Sequence, residues 1–148
     1  MRVLAEAPTR IGLYGGGTDL PPYEKGFVIN LAINLRSKVV LSTGDDIFIA
    51  TNSFPPNADP KLFYAILADF GLGSMHHSKT ESTSDVVIKA GLGSSASAGV
   101  ALIKAIYKAK DLGMNKQEIA ERAFKIENTL WTSGRQDVYA SSFGGMNM

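Results

Sequence analysis

Residues 85–101 read DVVIKAGLGSSASAGVA, and this stretch is the most informative part of the chain. Asp85 to Ile88 predicts a short strand, and the segment from about Ser95 to Lys110 predicts a helix. The glycines between them let the backbone approach a ligand closely, and the start of the helix leaves unpaired N–H groups that favour an anion. We therefore predict a phosphate-binding loop formed by Gly91, Leu92, Gly93, Ser94, Ser95, Ala96 and Ser97.

The serines of this loop supply hydroxyl groups suited to phosphate oxygens or a hydrated Mg²⁺, but other interpretations compete. One is a helix N-cap preceded by a tight glycine turn. Another is the dinucleotide fingerprint, since the spacing Gly91-x-Gly93-x-x-Ala96 fits it. That motif requires a second strand ending in an acid about 20 residues later, whereas a second helix follows here, from Lys116 to Trp131. A Walker-type ATPase is disfavoured, because its Gly-x-x-x-x-Gly-Lys-Ser/Thr pattern is absent.

The second predicted helix carries a carboxylate in its apolar stripe. Glu127 shares a helical face with Phe124 and Leu130, where a charge is costly unless it is paired or bound to a metal. It is either a Mg²⁺ ligand facing the loop or a stripe-edge residue that reaches solvent or forms a salt bridge. Asp137 follows ten residues later. It either accepts a hydroxyl proton or caps a short helix over Val138 to Phe143.

The N-terminal segment from Arg2 to Leu13 predicts a strand interrupted by Pro8, and a run of three glycines follows it. These glycines permit close approach of a ligand. Arg10 could offset phosphate charge, and the polar side chains after the glycines could hold sugar hydroxyls. The alternative is a glycine-rich turn with a surface aspartate. The candidate substrate-binding residues are Gly16, Gly17, Thr18 and Asp19.

The rest of the chain mixes strands and helices, with strands early and helices late, which predicts an α+β fold. The predicted elements are strands over Phe27–Ile33 and Ser37–Thr43, a hairpin through Gly44-Asp45-Asp46 to Ile47–Thr51, a helix over Pro60–Phe70 with Asp59 as N-cap, a loop over Gly71–Ser84, and a capping box of Asn115 and Glu118 at the start of the second helix.

Composition limits the classes of function. The chain has 148 residues, the size of one domain, and a formal net charge of +1, so no strong field favours nucleic acid or an anionic membrane as a partner. It contains no cysteine, which excludes disulfides and thiolate metal sites. No secretory signal is visible, and no stretch approaches the roughly 20 apolar residues of a spanning helix. The default expectation is a cytoplasmic protein.

Together these motifs resemble the GHMP kinases, the superfamily of galactokinase, homoserine kinase, mevalonate kinase and phosphomevalonate kinase. The run Gly91 to Ala96 is similar to the family's ATP-binding signature, and Ala7-Pro8-x-Arg10-Ile11 with Gly17-Thr18-Asp19 is similar to its N-terminal sugar motif. Within the family, residues 14–23, 136–140 and 143–147 look most like the heptose 7-phosphate kinases. These enzymes phosphorylate the anomeric hydroxyl of a heptose 7-phosphate.

The resemblance implies a role for each candidate residue. The backbone from Gly91 to Ser95 would cradle the phosphates of ATP. Asp137 would be the base or the orienting group for the attacking hydroxyl, with Arg10 nearby, and Asp19 would bind the sugar. Phosphoryl transfer rests mainly on positioning and charge stabilisation, which such groups provide. The implied Mg²⁺ ligands are Ser95 and Glu127.

The resemblance also implies a fold: a mixed sheet with helices packed on one face, similar to the second domain of ribosomal protein S5. Residues 1–148 would form the ATP-binding N-terminal domain, and the family's C-terminal domain is absent from this chain. We therefore expect this chain to be a poor or inactive kinase alone, and to self-associate or need a C-terminal half supplied separately. The expected function is an ATP- and Mg²⁺-dependent heptose phosphate kinase. The alternatives are a galactokinase-like or mevalonate-like acceptor and, from another class, a non-catalytic nucleotide-binding module.

Overall fold

The computed structural model describes residues 1–23, 25–44, 52–56, 58–72 and 78–148. The hairpin predicted over 45–51 lies outside the described residues. The described residues form the expected α+β arrangement. In chain order the elements are β1 (Arg2–Tyr14), β2 (Ile29–Thr43), α1 (Pro60–Asp69), β3 (Ser78–Ser84), α2 (Ser94–Ala109), α3 (Lys116–Leu130), α4 (Gln136–Phe143) and β4 (Met146–Asn147).

The sheet is organised around β2, with which β1, β3 and β4 all pair in the antiparallel sense. A parallel contact occurs as one isolated bridge, between Ser53 and Glu81. The strands predicted separately over Phe27–Ile33 and Ser37–Thr43 form one long strand, β2. Pro8 does not end β1. Its register with β2 shifts between Pro8 and Arg10, as expected for a bulge on a strand at the edge of the described sheet.

The helices cover one face of this sheet, as predicted. Val3 and its cross-strand partner Leu41 are buried on that face, while Leu4 is exposed on the other. α2 packs against the covered face and has twelve buried residues among its sixteen, so it is the central helix. At Gly99 of α2, a Cβ atom would lie 3.2 Å from the Leu62 side chain, so the glycine lets α1 pack closely. Burial of these side chains against the sheet and α1 contributes to the stability of the fold.

The last strand before the glycine loop lies earlier than predicted. Ser78–Ser84, expected as a loop, is β3, whereas Asp85–Ile88, expected as a strand, has left the sheet. The chain leaves the sheet at Asp85, whose carboxylate, rather than a backbone carbonyl, accepts the hydrogen bond of the Arg36 N–H at 3.0 Å. β3 contains only polar residues, and Thr80 and Ser82 are nevertheless buried. The strand is specified by its ladder with β2 rather than by a hydrophobic pattern.

The helix boundaries agree closely with the sequence, with one consequential difference. Asp59 caps α1 as predicted, its carboxylate accepting from the Lys61 N–H at 2.9 Å. α4 begins at Gln136, with Arg135 at the N-cap position, so Asp137 lies in the first turn. The alternative of Asp137 as an N-cap is therefore wrong. None of the described helices combines the length and apolar character needed to cross a membrane.

Candidate active site

The glycine loop approaches α4 closely. Gly91 and Gly93 have φ angles of 76° and 68°, which L-residues with a side chain rarely adopt. A Cβ atom at Gly93 would lie 3.2 Å from Oδ2 of Asp137 and 3.4 Å from Cγ of Arg10. The absence of a side chain at Gly93 therefore holds open the gap between the loop and these two charged residues.

The N-terminus of α2 opens into this gap without a side-chain cap. Gly93 is its N-cap residue, and the first turn contains no acidic residue. The first hydrogen bond of the helix joins the Ser97 N–H to the carbonyl of Gly93, at 3.0 Å. The preceding N–H groups, of Ser94, Ser95 and Ala96, stand at the positive end of the helix dipole. This end of α2 is suited to an anion.

The predicted loop residues separate into two groups. Ser95 is exposed and faces the clefts around the loop. Ser97, predicted to offer its hydroxyl to a ligand, is fully buried and donates to the carbonyl of Ala7 at 2.7 Å. Its side chain ties α2 to β1 instead. Ala96 is buried, and the carbonyl of Leu92 accepts from the Arg10 N–H at 3.0 Å, so both help to fix the loop.

Arg10 and Asp137 form a partly buried ion pair beside the loop. Nε and Nη2 of Arg10 each lie 2.7 Å from the same oxygen, Oδ1 of Asp137, and Nη1 donates to the carbonyl of Gly91 at 2.6 Å. Charge-assisted hydrogen bonds of this length are strong. Arg10 thus joins strand, loop and α4, and leaves Oδ2 of Asp137 directed towards Gly93.

Glu127 is buried, as its place in the apolar stripe indicated, with 4% of its surface exposed. Burial raises the pKa of its carboxyl to about 7, the Ser133 hydroxyl opposes this by donating a hydrogen bond at 2.7 Å, and the charge of Asp137 adds to the rise. Glu127, Ser95 and Asp137 line one cavity of about 220 Å³.

These oxygens fit a magnesium ion that also binds phosphate. Mg²⁺ prefers hard oxygen ligands and is usually held by one or two carboxylates together with substrate phosphates and water. Glu127 supplies a carboxylate and Ser95 a hydroxyl beside the open end of α2. Among the residues that the structure describes, no group of three or more acidic, histidine or cysteine side chains could hold a metal alone. The side chains of Glu127 and Ser95 therefore suit a Mg²⁺ ion whose remaining ligands are phosphate oxygens and water.

The polar side chains of the N-terminal turn have different roles. The Thr18 hydroxyl donates to the carbonyl of Gly15 at 2.7 Å and accepts from the Phe27 N–H at 3.1 Å, so it stabilises the turn itself. Gly15 is required there, because a Cβ would lie 1.8 Å from the Phe27 carbonyl oxygen. Gly17 has a φ of 87° and open space around its missing Cβ, and Gly16 lies near the Gln136 side chain.

Asp19 is the residue of this turn that reaches the site. Its Oδ2 accepts a hydrogen bond from the Gln136 N–H at 3.2 Å, at the first residue of α4. Gly134 makes this possible, because a Cβ there would lie 2.1 Å from the same oxygen. A carboxylate at a helix N-terminus is stabilising, so Asp19 helps to hold the helix that carries Asp137.

Two lysines hold the opposite end of α4, and sequence analysis missed both. Lys104 donates to the carbonyl of Ser141 at 3.2 Å, and Lys116 donates to that of Phe143 at 3.3 Å. Burial is the main reason that the pKa of Lys104 is lowered to about 8. Cations stabilise the negative end of a helix. α4 therefore has an anion at its start and cations at its end, all supplied by other elements.

Further cavity residues were also missed. Trp131 lines both the 330 Å³ cleft beside Arg10 and the cavity of Glu127. A third cavity, of about 530 Å³, lies on the other side of α4. Asp19 and Gln136 line it, together with Asn30, whose amide donates to the Gln136 carbonyl at 3.0 Å. Nothing in the local sequence around Asn30 signals this role, because its partner is 106 positions away.

The chain is similar to known proteins over nearly its whole length. A family model described as the GHMP kinases N terminal domain matches residues 61–145. A D-glycero-alpha-D-manno-heptose 7-phosphate kinase of Campylobacter jejuni is 32% identical over 168 residues, 98% of this chain and 49% of the relative. A mevalonate kinase of Archaeoglobus fulgidus is 31% identical over 150 residues, 97% of this chain and 51% of the relative.

Solved structures agree with the fold. The crystal structure of a D-glycero-D-manno-heptose 1-phosphate kinase from Bacteroides thetaiotaomicron aligns with a TM-score of 0.80 at 26% identity, over 98% of this chain and 55% of that one. This chain spans about half the length of the curated relatives that it matches. Because the family model covers more than half of the residues, the chain belongs to the family of the GHMP kinase N-terminal domain.

Proposed function

We propose that this chain binds Mg·ATP at the N-terminus of α2 and takes part in transferring the γ-phosphoryl group to a hydroxyl of a heptose 7-phosphate. The observation that carries this proposal is the uncapped end of a buried helix facing the pair of Arg10 and Asp137. An anion at that end would receive N–H groups, the helix dipole and a nearby guanidinium together. Together, these three interactions would hold an anion more tightly than any one of them alone.

In the proposed complex the nucleotide phosphates lie along the backbone from Gly91 to Ser95. Ser95 and Glu127 hold Mg²⁺, which neutralises charge on the phosphate oxygens when it is bound. Arg10 balances further negative charge beside the loop. Because Glu127 is buried beside Asp137, its ionised form is costly without a cation, and this favours metal binding when phosphate is present.

Asp137 has the second role, towards the acceptor. Arg10 fixes Oδ1, and Oδ2 accepts a hydrogen bond from the attacking hydroxyl. The hydroxyl oxygen forms a bond to the γ-phosphorus, the bond from that phosphorus to the ADP oxygen breaks, and the hydroxyl proton passes to Asp137 or to solvent. Asp137 contributes by orienting the nucleophile as well as by accepting a proton, since phosphoryl transfer depends strongly on position.

The acceptor class rests on the relatives. Two of them bear names that specify heptose phosphates, and one is named a mevalonate kinase. A mevalonate-like or galactose-like acceptor is therefore the alternative within the class. A non-catalytic nucleotide-binding module is the alternative of another class. The cytoplasm remains the proposed location.

Calorimetry with Mg·ATP on this chain, and a coupled ADP-release assay with heptose 7-phosphate on this chain joined to the C-terminal half of a heptose phosphate kinase relative, test the function. Binding together with sugar-dependent ADP release supports it. Asp137→Asn should reduce turnover about 100-fold or more while ATP affinity changes less than about threefold, because the role of Asp137 belongs to the transferring group. Asp111→Asn, the same change in an exposed turn, is the matched control.

The outcomes separate the alternatives. Binding of Mg·ATP without ADP release for any sugar, with the C-terminal half present, indicates a nucleotide-binding module. Release with mevalonate or galactose alone indicates a different acceptor. No binding of Mg·ATP contradicts the whole proposal.

A further inference from the structure

The turn that precedes the glycine loop holds one residue in a conformation that its type disfavours. The Ala90 N–H donates to the carbonyl of Val87 at 3.3 Å and closes a four-residue turn. Lys89, the third residue of this turn, has a φ of 71°. Glycine is the usual residue where a turn needs a positive φ, because a Cβ atom crowds the carbonyl oxygen that follows it. Lys89 is therefore strained, two residues before Gly91.

The strain at Lys89 is not explained by the turn alone. Asp111, in the turn after α2, is the other described non-glycine residue with a positive φ, of 52°. Aspartate tolerates this region, because its short polar side chain can bond the nearby backbone, whereas a lysine side chain is not suited to that. Strained residues occur most often at ligand and catalytic sites. We therefore expect the side chain of Lys89 to have a use that glycine could not provide.

Lys89 lies beside the candidate phosphate site. It is exposed and lines the 330 Å³ cleft that Gly91, Gly93, Ser94 and Ser95 also line. These four residues belong to the glycine loop and the start of α2. Lysine carries its charge on a flexible four-carbon stem, so the ammonium group can move to an anion that enters this cleft.

The other charged residues of the cleft already have partners. Arg10 lies 2.7 Å from Asp137, and the carboxylate of Asp59 caps the first turn of α1. Among the residues that the structure describes, no carboxylate forms an ion pair with Lys89. The charge of Arg10 is largely balanced by Asp137, whereas that of Lys89 remains available to a ligand.

We propose that Lys89 binds the phosphates of the nucleotide at the open end of α2. Its ammonium group donates charge-assisted hydrogen bonds to phosphate oxygens that also contact the loop backbone. This inference rests on the proposed function, because it assumes a nucleotide at this site. The acceptor carries a phosphate too, but the cleft of Lys89 is lined by the glycine loop, and this favours the nucleotide.

The strain gives the contact a signature that a structural role would not have. Lys89→Gly removes the strain and the charge together. The melting temperature should therefore rise or stay unchanged, while affinity for Mg·ATP falls about tenfold, the size of one hydrogen bond to a charged group. A residue kept for the stability of the fold would show a lower melting temperature and unchanged affinity, and that result would overturn the proposal.

Two further variants separate the charge from the backbone, with calorimetry of Mg·ATP binding to this chain as the measurement. Lys89→Gln keeps a side chain at the strained position and should also lose about tenfold in affinity. Lys89→Arg keeps the charge and should stay within about threefold of wild type. The loss in Lys89→Gln should shrink in 1 M salt, where the Debye length is about 3 Å. An equal loss at low and high salt would contradict a contact between charges.

Two matched controls lie outside the site. Asp111→Gly relieves the other positive φ, in the turn after α2. Lys108→Gln removes the same charge from an exposed position in the last turn of α2, roughly 20 Å along the helix from Ser94. Neither should change affinity for Mg·ATP by more than about twofold. A tenfold loss in Lys108→Gln would assign the effect to net charge and would reject the contact.

Failure of this inference differs from failure of the proposed function. If the wild type and every Lys89 variant bind Mg·ATP equally well, nucleotide binding stands and the role of Lys89 is rejected. If Lys89→Gln weakens binding of heptose 7-phosphate and not of Mg·ATP, the lysine serves the phosphate of the acceptor, and the proposal is likewise rejected. If the wild type does not bind Mg·ATP, both fail together.

Discussion

Two helices of similar length begin in opposite ways. α3 has its own cap, because the Asn115 side chain accepts from the N–H groups of Gln117 and Glu118, at 2.9 and 3.2 Å. α2 begins at Gly93 with no side-chain cap and no acid in its first turn. α3 satisfies its first N–H groups locally, whereas α2 leaves its own available. The difference indicates that one end serves stability and the other a ligand.

The open end of α2 is possible because the rest of that helix is stabilised by packing. Twelve of its sixteen residues are buried, compared with five of fifteen in α3. A cap contributes about 1 kcal/mol, which is small beside the burial of many apolar side chains. A largely exposed helix depends more on its cap. The uncapped end therefore occurs where tertiary packing makes a cap dispensable.

The largest effect is expected from closing the open end of α2. Gly93→Val places a β-branched side chain at a φ of 68°, in the gap between the loop and Asp137. We expect affinity for Mg·ATP, measured by calorimetry, to fall about 100-fold or more, a loss of roughly 2.7 kcal/mol.

Gly71→Val is the matched control for this change. Gly71 has a φ of 72° at the end of α1, and a Cβ atom there would meet no atom of the described residues within 4 Å, so the backbone strain is similar but the site is untouched. It should destabilise the fold and leave nucleotide affinity within about twofold. Unchanged affinity in a folded Gly93→Val variant would contradict the assignment of the loop.

A smaller effect is expected at Glu127, the acid on α3 that lies near the open end of α2. The pKa of Glu127 is raised from 4.5 to about 7, mainly by burial. Between these values the folded state retains a proton that the unfolded state has lost, so the free energy of unfolding falls as pH rises from about 4.5 to 7. Above that window both states are ionised and the full destabilisation remains.

Glu127→Gln removes this titration. In urea unfolding with EDTA present, the variant should gain stability relative to wild type as pH rises through the window, by about 2–3 kcal/mol in total. With Mg·ATP, the variant should instead require more Mg²⁺ for half-saturation. Glu6→Gln, at a partly exposed carboxylate that pairs with Arg36 on the surface, should change stability by less than about 1 kcal/mol. Parallel pH profiles for Glu127→Gln and wild type would show that burial does not perturb this carboxyl.

The smallest effect is expected at the capped end of α3. Asn115→Ala removes the acceptor for two N–H groups and should lower the free energy of unfolding by about 1 kcal/mol, with no change in nucleotide affinity. Asn115→Asp keeps the acceptor and should restore stability. A loss of nucleotide affinity in Asn115→Ala would mean that the two helix ends are not independent.

Features specified by neighbouring residues were predictable from the sequence. The caps at Asp59 and Asn115 are confirmed, because each side chain bonds N–H groups two or three positions ahead. The capping box is only half formed, since Glu118 accepts from the Tyr107 hydroxyl, at 2.6 Å, instead of returning to Asn115. Glu127 was identifiable because helical periodicity placed it among apolar side chains. Its burial is confirmed, and its role as a metal ligand remains a prediction.

Features that depend on distant partners were either missed or given the wrong role. β3 has no hydrophobic pattern of its own and exists because β2 offers it a ladder. Thr18 and Ser97 both carry hydroxyls suited to a ligand, yet one is used inside a turn and the other against β1. Asn30 gave no signal at all. Residue type indicates what a side chain can bond, while only its neighbours in space fix what it does bond.

The sequence by itself determined the α+β class, the glycine loop before α2, the caps of α1 and α3 and the family resemblance, because these depend on patterns within a few residues. Tertiary structure alone decided the pairing of Arg10 with Asp137 across 127 positions, the contact of Asp19 with α4 across 117, and the unpartnered oxygen of Asn30. Hydrogen-bond donors and acceptors are numerous in any sequence. Packing brings particular ones together and excludes water from them, and this selection has no local signature.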